Sequence, residues 1–268
     1  MICEEKKGPQ ERGKKPSARR CAQEVFFSYN KPMTSIYTDG SYLQANPGWH
    51  AQDARWKLQH VLRALEQAGV TGKLHNVCDV GCGAGELLKE WARKRPHMHF
   101  TGCDISPQAH QLCLQGAPDN VHFVQGNKTG QASFDAVLAI DVLEHVPEPD
   151  LFLTHLESKA PLLVLHVPLD LSVRSVIKPE ILETERRTVG HIHFYTAPYL
   201  RRVLRNRGYQ ILSWHYTNKY VECPPPLPRL RSRIGMLIRK VAHVLLPHSW
   251  AAWWVGGYSV MLVARVRR

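Results

Sequence analysis

The chain has 268 residues, of which 44% are hydrophobic. This is enough for one large α/β domain or two small ones, and it excludes a disulfide-dependent mini-protein and a fully disordered chain. The formal net charge of +12 raises the question of a nucleic-acid or membrane partner. Residues 1–20 contribute +4 and residues 229–268 contribute +8, whereas residues 21–228 hold 20 charges of each sign. Because this central part is neutral, nucleic acid is the less favoured partner.

The N-terminal region and the cysteines define the expected setting of the chain. Residues 1–30 mix Lys, Glu, Gly and Pro with few apolar residues, so we expect a basic, disordered arm. No apolar run that would form a secretory signal follows it. The seven cysteines are odd in number and form no Cys-x-x-Cys pair, which favours reduced thiols over disulfides or a metal site. We therefore expect a cytoplasmic protein.

Helical and strand patterns follow in chain order. Apolar residues at helical spacing predict a helix over about 52–68. From residue 76, short apolar runs alternate with helix-length polar segments, which predicts an α/β fold with a mainly parallel sheet covered on both faces. The last two strands, joined by a long insertion, are candidates for an antiparallel edge. The predicted strands are 76–80, 99–103, 121–124, 134–139, 161–166, 209–216 and 258–265, and the predicted helices are 85–94, 107–114, 149–158 and 197–206.

A glycine-rich turn follows the first strand, in the segment Val77–Glu86. Gly81, Gly83 and Gly85 let backbone N–H groups approach a ligand closely. Dinucleotide sites use the same architecture, but here Asp79 and Glu86 put negative charge where a pyrophosphate would lie. A ligand carrying an ammonium and a sulfonium would instead be attracted to Asp79.

Three further strand ends carry polar groups. The second strand ends at Asp104, whose carboxylate can accept hydrogen bonds from two ribose hydroxyls. The third ends at Gly126 and Asn127, and the Asn127 side chain is suited to an adenine edge. The fourth leads into Ile140 and Asp141. Because ligands of open α/β sheets bind outside the carboxyl ends of the strands, we expect these groups to form one site.

The order and spacing of these motifs resemble a class I S-adenosylmethionine-dependent methyltransferase. The resemblance covers about residues 76–215 and the final strand, and it is strongest in Asp79–Gly85, Gly102–Ser106 and Asp141–Pro149. The stretch Leu-Glu-His-Val-Pro is similar to the small-molecule group that includes ubiquinone-biosynthesis O-methyltransferases. Residues 190–196 also resemble a segment that often follows the fifth strand in that group.

The resemblance implies a Rossmann-like, doubly wound, seven-stranded sheet with an antiparallel last strand. It implies an N-terminal helical lid over residues 31–75 and a methyltransferase domain over residues 76–268. S-adenosylmethionine is the implied cofactor. Residue by residue, it implies that Asp79, Gly81, Cys82 and Gly83 bound the methionine end, that Asp104 binds the ribose, and that Ile105 packs on the adenine. Beyond these, Gly126 and Asn127 would lie near the adenine edge, and Ile140, Asp141 and Val142 beside the sulfonium.

Methyl transfer to a hydroxyl also requires a group that accepts the proton. His145 and His191 are the candidate catalytic residues, with supporting roles in the loop or at the domain edge as the alternatives. Asp141, Glu144 and His145 share a face if their segment is helical, and with His191 they would form a four-ligand metal site. That arrangement resembles metal-dependent relatives, but Asp141 stands where those have Glu, and we predict no metal ligand.

The insertion over about 223–256 begins with a Pro-rich connector and continues with apolar residues at helical spacing. Arg231, Arg233, Arg239 and Lys240 are interspersed, and Trp250, Trp253 and Trp254 follow. Three interpretations are open: an interfacial contact through residues 229–256 with an anionic membrane surface, a helix that caps the sheet, and a membrane span. A peripheral position at a membrane is therefore part of the expected localisation.

Three functional hypotheses remain. The first is an enzyme that methylates oxygen, or less favourably nitrogen or carbon, of a small or amphiphilic acceptor. The second is an RNA or protein methyltransferase that uses the basic ends, and the third is a non-catalytic, cofactor-binding scaffold. The acceptor and the oligomeric state are not encoded in the motifs.

Overall fold

The computed structural model describes residues 35–46, 48–49, 51–126, 133–224 and 230–267. The predicted arm over residues 1–30 and the predicted adenine contact Asn127 lie outside the described residues. Within the described part, short runs of apolar residues form a central sheet, and amphipathic segments form the helices that cover it.

Seven strands form one sheet in the order β3-β2-β1-β4-β5-β7-β6. Strands β1 to β5 are parallel to their neighbours, and β7 is antiparallel to both β5 and β6. The predicted mainly parallel sheet with an antiparallel last strand is confirmed, with each strand within two residues of its expected bounds. The strands are β1 Asn76–Val80, β2 His99–Asp104, β3 Val121–Gln125, β4 Ala136–Ile140, β5 Leu162–Pro168, β6 Gln210–Thr217 and β7 Ser259–Arg265.

Twelve α-helices occur among the described residues. They are α1 Ser35–Thr38, α2 Ser41–Ala45, α3 Ala54–Gln67, α4 Glu86–Lys94, α5 Pro107–Leu114, α6 Pro149–Glu157, α7 Val173–Ile177, α8 Glu180–Thr188, α9 Ala197–Asn206, α10 Lys219–Glu222, α11 Leu230–Leu245 and α12 His248–Trp254. Helices α7, α8 and α10 were missed. Helix α7 is a short helix begun by a capping box between Ser172 and Ser175. Helix α8 buries none of its residues, so it has no apolar stripe for a periodicity search to find.

Helix α3 is built into the core. Leu58, Val61, Ala64 and Leu65 are fully buried in the apolar cluster on one face of the sheet. On the opposite face, β4 and β5 pack against α6, α9 and α12 in a second cluster. Burial of this kind contributes about 1.5–3 kcal/mol for each large apolar side chain. Helix α3 is therefore part of the core. Within the predicted lid over residues 31–75, the role of a lid stays a prediction for the residues that precede α3.

The carboxyl ends of β1, β2, β4 and β5 lie at the same edge of the sheet. Asp79 is paired with Gly102 of β2 and with Leu138 of β4, and Ile140 is paired with His166 of β5. The strand order reverses between β1 and β4, so a crevice opens beside β1. This topology brings the polar groups at the four strand ends together.

The insertion between β6 and β7 carries α10, α11 and α12. Helix α11 is the predicted basic amphipathic helix, and Pro247 lies at the N-cap of α12. Among the described residues, we find no helix with both the length and the apolar character that crossing a membrane requires. Of the three interpretations of the insertion, the interfacial contact with a membrane surface and the helix that caps the sheet therefore stay open.

Candidate active site

A cavity of about 720 Å³ opens at the carboxyl edge of the sheet. At one end, here called the cofactor end, it is lined by Asp79, Gly81, Cys82, Gly83, Asp104, Ile105 and Gly126. At the other, here called the insertion end, it is lined by Asp170, Arg174, Glu185, Tyr220 and Arg239. The predicted histidines, His145 and His191, also line this cavity. Apart from Asn127, every predicted site residue therefore lies on its wall.

The glycine-rich turn is fixed against β2. The backbone N–H groups of Gly81 and Cys82 both donate to the carbonyl oxygen of Cys103, at 2.8 and 3.1 Å. Gly81 has φ +79°, and a Cβ there would lie 2.5 Å from a methyl carbon of Val142. Because no side chain fits at Gly81, the backbone of the turn stays open to the cavity beside Val142.

Asp79 is a buried carboxylate that lacks a full set of partners. Its side chain is 3% exposed, and Oδ1 has no hydrogen-bond partner among the described residues. Burial, reinforced by the charge of Asp104, raises the pKa of Asp79 to about 8, although the charge of Lys57 opposes this shift. A buried, unpaired acid of this kind favours a cationic ligand group.

Asp104 organises the second half of the cofactor end. Its Oδ2 accepts from the N–H of Gly83 and its Oδ1 from the N–H of Ser106, both at 2.9 Å. A carboxylate has about four acceptor positions, so two hydroxyl donors can still be bound. Beside it, the Ile105 side chain is 43% exposed and provides an apolar surface on the cavity wall.

Asp141 has an unusual backbone and two strong partners. It adopts φ +55°, a region that non-glycine residues rarely occupy. Its carboxylate oxygens lie 2.7 Å from Lys57 Nζ and 2.5 Å from His166 Nδ1. Burial alone would raise the pKa of Asp141, but the charges of His166 and Lys57 hold it well below its usual range. Both oxygens are thus committed to side chains from α3 and β5.

Glu144 lies at the centre of a separate cluster with the two histidines. It is 0% exposed, and neither of its carboxylate oxygens has a hydrogen-bond partner in the described part of the chain. His145 Nε2 lies 3.7 Å and His191 Nε2 lies 3.9 Å from Glu144 Oε1. Burial raises the pKa of Glu144 well above its usual range, and the charge of Asp141 adds to this effect.

The hydrogen bonds on the other ring nitrogens identify the tautomers. His145 Nδ1 is 3.1 Å from the carbonyl oxygen of Gly190, which can only accept, so Nδ1 carries the proton. His191 Nδ1 is 2.7 Å from Asp170 Oδ2, and the same reasoning applies. Burial and the neighbouring His191 lower the pKa of His145 to about 4. In the form of each ring that is protonated only at Nδ1, Nε2 is therefore the nitrogen left to accept a proton.

The comparison with known proteins now identifies the family. A family model described as "Methyltransferase domain" matches residues 49–213, which is more than half of the chain. The protein belongs to that family. It is a class I S-adenosylmethionine-dependent methyltransferase by family, and this membership favours an enzyme over a non-catalytic scaffold.

Among curated proteins, the methyltransferase is similar to the ubiquinone biosynthesis O-methyltransferase of Xanthomonas oryzae pv. oryzae (strain PXO99A), with 33% identity over 119 residues, 39% of this chain and 48% of that one. The enzyme of the same name from Albidiferax ferrireducens is 29% identical over 154 residues, 48% of this chain and 57% of that one. Ribosomal RNA small subunit methyltransferase C of Escherichia coli O1:K1 / APEC is 33% identical over 100 residues, 35% of this chain and 28% of that one. The chain spans about half the length of the ubiquinone relatives.

Solved structures share the fold at low identity. The magnesium protoporphyrin IX methyltransferase of Synechocystis PCC 6803, with bound SAH, has a TM-score of 0.51 and 16% identity, with 94% of this chain and 95% of that chain covered. The plantazolicin methyltransferase BpumL, also in complex with SAH, has a TM-score of 0.55 and 13% identity, with 93% and 99% covered. These likenesses support the Rossmann-like fold over nearly the full chain.

The cofactor end fits S-adenosylmethionine. The unpartnered Oδ1 of Asp79 suits its ammonium group, the remaining acceptor positions of Asp104 suit its ribose hydroxyls, and Ile105 offers an apolar surface to its adenine. Ile140, Asp141 and Val142 line the cavity beside the glycine turn. When bound, the cofactor supplies an electrophilic methyl group on a sulfonium.

The histidine cluster also has the chemistry of a metal-binding set. The ligand atoms of Glu144, His145 and His191 lie within 4.8 Å of one another, and two imidazoles with one carboxylate suit a divalent cation such as Zn²⁺. The four-ligand arrangement with Asp141, considered from the sequence, differs from this set. Asp141 instead pairs with Lys57 and His166.

Several cavity residues were missed by the sequence analysis. The Tyr37 hydroxyl donates to the carbonyl oxygen of Val189 and lies 3.0 Å from His145 Nδ1, so it links α1 to the histidine cluster. Asp170 orients His191, and Tyr220 and Arg239 come from the insertion. None of these residues belongs to a motif. The sequence did contain one hint, the Gly256–Gly257 pair before β7, because paired glycines are typical of a tight backbone turn. Both residues adopt positive φ and line the cavity.

Proposed function

We propose that the protein transfers the methyl group of S-adenosylmethionine to a hydroxyl oxygen of a small or amphiphilic acceptor, with His191 accepting the hydroxyl proton. The oxygen forms a bond to the methyl carbon while the sulfur–carbon bond breaks. Its electron pair stays on sulfur, and S-adenosylhomocysteine is released. The names of the ubiquinone-biosynthesis relatives support an O-methyltransferase acting on a small molecule.

One contact carries this proposal, the 2.7 Å hydrogen bond between Asp170 and His191 Nδ1. A carboxylate that accepts from one ring nitrogen fixes the orientation of the imidazole and stabilises the cation formed when the other nitrogen takes a proton. His145 lies edge-on to His191, with ring centroids 4.8 Å apart. We assign His145 to packing beside the acceptor and holding it near His191.

The test measures methyl transfer from labelled S-adenosylmethionine into cell extracts, followed by separation of organic-soluble, RNA and protein fractions. We expect label in the organic-soluble fraction. His191→Asn should lower turnover by about 10²–10⁴-fold and leave the affinity for S-adenosylhomocysteine unchanged. His193→Asn is the matched control, because His193 belongs to the same segment but does not line the cavity.

Two outcomes would contradict this function. Label recovered in RNA or protein would support the second hypothesis, for which the ribosomal RNA relative is the precedent. If turnover is lost in EDTA and restored by Mn²⁺, the Nε2 atoms of His145 and His191 bind a metal ion, and His191 does not accept the hydroxyl proton.

We also propose that α11 and α12 bind an anionic membrane surface, as part of a cytoplasmic protein with a peripheral position. The face made by these helices exposes large apolar side chains, 78% exposed at Val244 and 73% at Leu245, together with Leu237, Ile238, Val241, Leu246, Trp250, Trp253 and Trp254. A group of exposed apolar side chains on one surface is typical of a site that contacts a protein or a membrane. Lys240 is exposed on the same helix, and residues 229–268 contain eight basic and no acidic residues, a charge complementary to anionic lipid.

Vesicle co-sedimentation tests this surface. We expect binding to phosphatidylglycerol vesicles, weaker binding to phosphatidylcholine vesicles, and loss of binding in Leu245→Asp. Leu114→Asp is the control, because Leu114 is 58% exposed but lies on α5, outside the surface. Equal sedimentation of Leu245→Asp and the unaltered protein would overturn this proposal.

A further inference from the structure

The wall at the insertion end of the cavity carries two cationic side chains that the methyl-transfer chemistry does not use. Arg174 comes from α7 and Arg239 from α11, and Tyr220 of α10 lies beside Arg239. Two segments distant in sequence thus bring two guanidinium groups to one end of the cavity. The other end is acidic and fits the cofactor.

Arg239 is held in place without a counter-ion. Its guanidinium stacks on the Tyr220 ring, 4.4 Å from the ring centroid. Its Nε is buried and makes no hydrogen bond within the described ranges, and no carboxylate there lies within salt-bridge distance of it. A buried guanidinium donor without an acceptor is unfavourable unless a ligand supplies one.

The backbone also leaves room for this side chain. Gly257 has φ +77°, and a Cβ at that position would lie 2.9 Å from Arg239 Nε. A residue other than glycine there would push the guanidinium off the Tyr220 ring. The fixed ring on one side and the bare backbone on the other confine Arg239 to the cavity wall.

Arg174 adds a second positive charge to the same region. Burial lowers the pKa of Arg239, and the charge of Arg174 lowers it further, while Tyr220 has the opposite effect. Both arginines line the same cavity, and the positive charge of each disfavours that of the other. Such a pair is stabilised by an oxyanion that accepts hydrogen bonds from both guanidinium groups.

The acidic groups near this wall do not meet that need. Asp170 is hydrogen-bonded to His191, and Asp53 is paired with Lys219. Burial and the charge of Asp170 raise the pKa of Glu185, which disfavours its ionised form. Among the described residues, no carboxylate thus forms an ion pair with Arg239.

We propose that Arg239 and Arg174 form a subsite for a carboxylate or phosphate group on the methyl acceptor. The subsite rests on the proposed function, since it names the acceptor class of the same cavity: a hydroxylated molecule that carries an oxyanion. Asp170 joins the subsite to the chemistry, because it lines the insertion end and orients His191. The oxyanion would hold the acceptor at one end while its hydroxyl meets His191.

Calorimetry on the full chain saturated with S-adenosylhomocysteine tests the subsite. The soluble probes are 4-hydroxybenzoate, phenyl phosphate and the neutral methyl 4-hydroxybenzoate, and a separate arm uses phosphatidylglycerol vesicles. We expect an anionic probe to bind at least about tenfold more tightly than the neutral ester, which corresponds to one charge-assisted contact. Arg239→Gln and Arg174→Gln should each remove that preference, and Arg239→Lys should restore part of it.

Arg187→Gln is the matched control. It removes one positive charge from an exposed position on α8, away from the cavity wall, and should leave the preference unchanged. Preference for the soluble anions identifies a free small molecule as the source of the oxyanion. If vesicle binding depends on Arg239 and Arg174 but binding of the soluble anions does not, the source of the oxyanion is a lipid headgroup.

The subsite is overturned if soluble anions and vesicles bind equally well with and without the two arginines, or if neither binds. Arg174→Gln keeps the test valid if Arg239→Gln fails to fold, because Arg174 is exposed. The affinity for S-adenosylhomocysteine is measured in the same samples. If the protein binds S-adenosylhomocysteine but shows no preference for the anionic probes, the subsite proposal is wrong and the proposed function is unaffected. If the protein prefers the anionic probes but transfers no methyl group, the methyl-transfer proposal is wrong and the anion site is unaffected.

Discussion

At the cofactor end of the cavity, strand ends and a glycine turn supply the ligand groups, and most of them lie within a few residues of β1, β2 or β4. At the insertion end, long side chains from α7, α10 and α11 supply them, across more than 60 residues of sequence. The first end holds the buried, unpartnered carboxyl group of Asp79, and the second holds the buried, unpartnered guanidinium Nε of Arg239. The difference teaches how one fold can separate two tasks: local backbone geometry builds the cofactor end, and long-range contacts between side chains build the end that we propose for the acceptor.

The largest expected effect is a loss of cofactor affinity that leaves the insertion end unaltered. Asp104→Ala should lower the affinity for S-adenosylhomocysteine, which carries the same ribose, by about 100-fold or more, since two hydrogen bonds to a charged group are lost. Anion binding at the insertion end should persist. Calorimetry with S-adenosylhomocysteine measures the first quantity, with the exposed Asp119→Ala as control. Unchanged affinity in Asp104→Ala would refute the ribose assignment.

A second, smaller effect concerns pH at the same end. Because burial raises the pKa of Asp79 to about 8, the unliganded protein must release a proton before this carboxylate can pair with an ammonium. The affinity for S-adenosylhomocysteine should therefore increase as pH rises, by about tenfold per unit below that pKa. The increase should end near pH 8, where an α-amino group itself loses its charge at about 7.7–8.0.

The control for this prediction is Asp79→Asn, which has no titratable group at that position and should show a much flatter profile. Equal pH dependence of the two proteins would contradict the pairing of Asp79 with the ammonium. Arg239→Gln should keep the full pH dependence, because it alters only the insertion end.

The smallest effect concerns the support of the insertion end. Glu222, the last residue of α10, accepts from His60 at 2.7 Å, from Trp56 at 3.1 Å and from the N–H of Asn218 at 2.7 Å. Burial alone would raise the pKa of Glu222, but these hydrogen bonds lower it to about 2. The ionised carboxylate thus stabilises the fold above the unfolded-state pKa, and this stabilisation is lost as pH falls toward 2.

Glu222→Gln should consequently lower the melting temperature by about 2–4 °C near neutral pH, a loss of about 1 kcal/mol for a partly exposed group. The difference should shrink between about pH 5 and pH 2, where the carboxylate of the unaltered protein becomes protonated. Thermal melts across this range measure it. A difference that stays constant down to pH 2 would show that the charge of Glu222 is not what ties α10 to α3.

The cofactor end was largely predictable because its chemistry is local in sequence. Asp79 lies near the end of β1, Gly81 and Gly83 lie in the turn that follows it, and Asp104 ends the next strand, so strand order alone brings them together. Asp141 lines the cavity, and its predicted place beside the sulfonium stays a prediction, but its partners Lys57 and His166 come from α3 and β5. Of the four ligands considered from the sequence, only Glu144, His145 and His191 lie together. Asp141 pairs with Lys57 and His166 instead, and helical periodicity cannot reveal such a competing salt bridge.

The insertion illustrates the opposite case. Its basic amphipathic character was readable from the spacing of apolar residues in α11, but the spacing does not tell which cations face outward. Lys240 is exposed, whereas Arg239, the preceding residue, turns into the cavity and stacks on Tyr220. The two adjacent positive charges therefore belong to two different surfaces.

By itself, the sequence determined the sheet, the helices that flank it and the cofactor motifs, because apolar periodicity and glycine turns act over a few residues. Only the tertiary structure decided that α3 is part of the core, that Asp170 orients His191, and that Arg174 and Arg239 share one wall. These contacts join segments whose spacing in the chain carries no period. Long-range packing brings them together, and no local pattern records the charge balance that results.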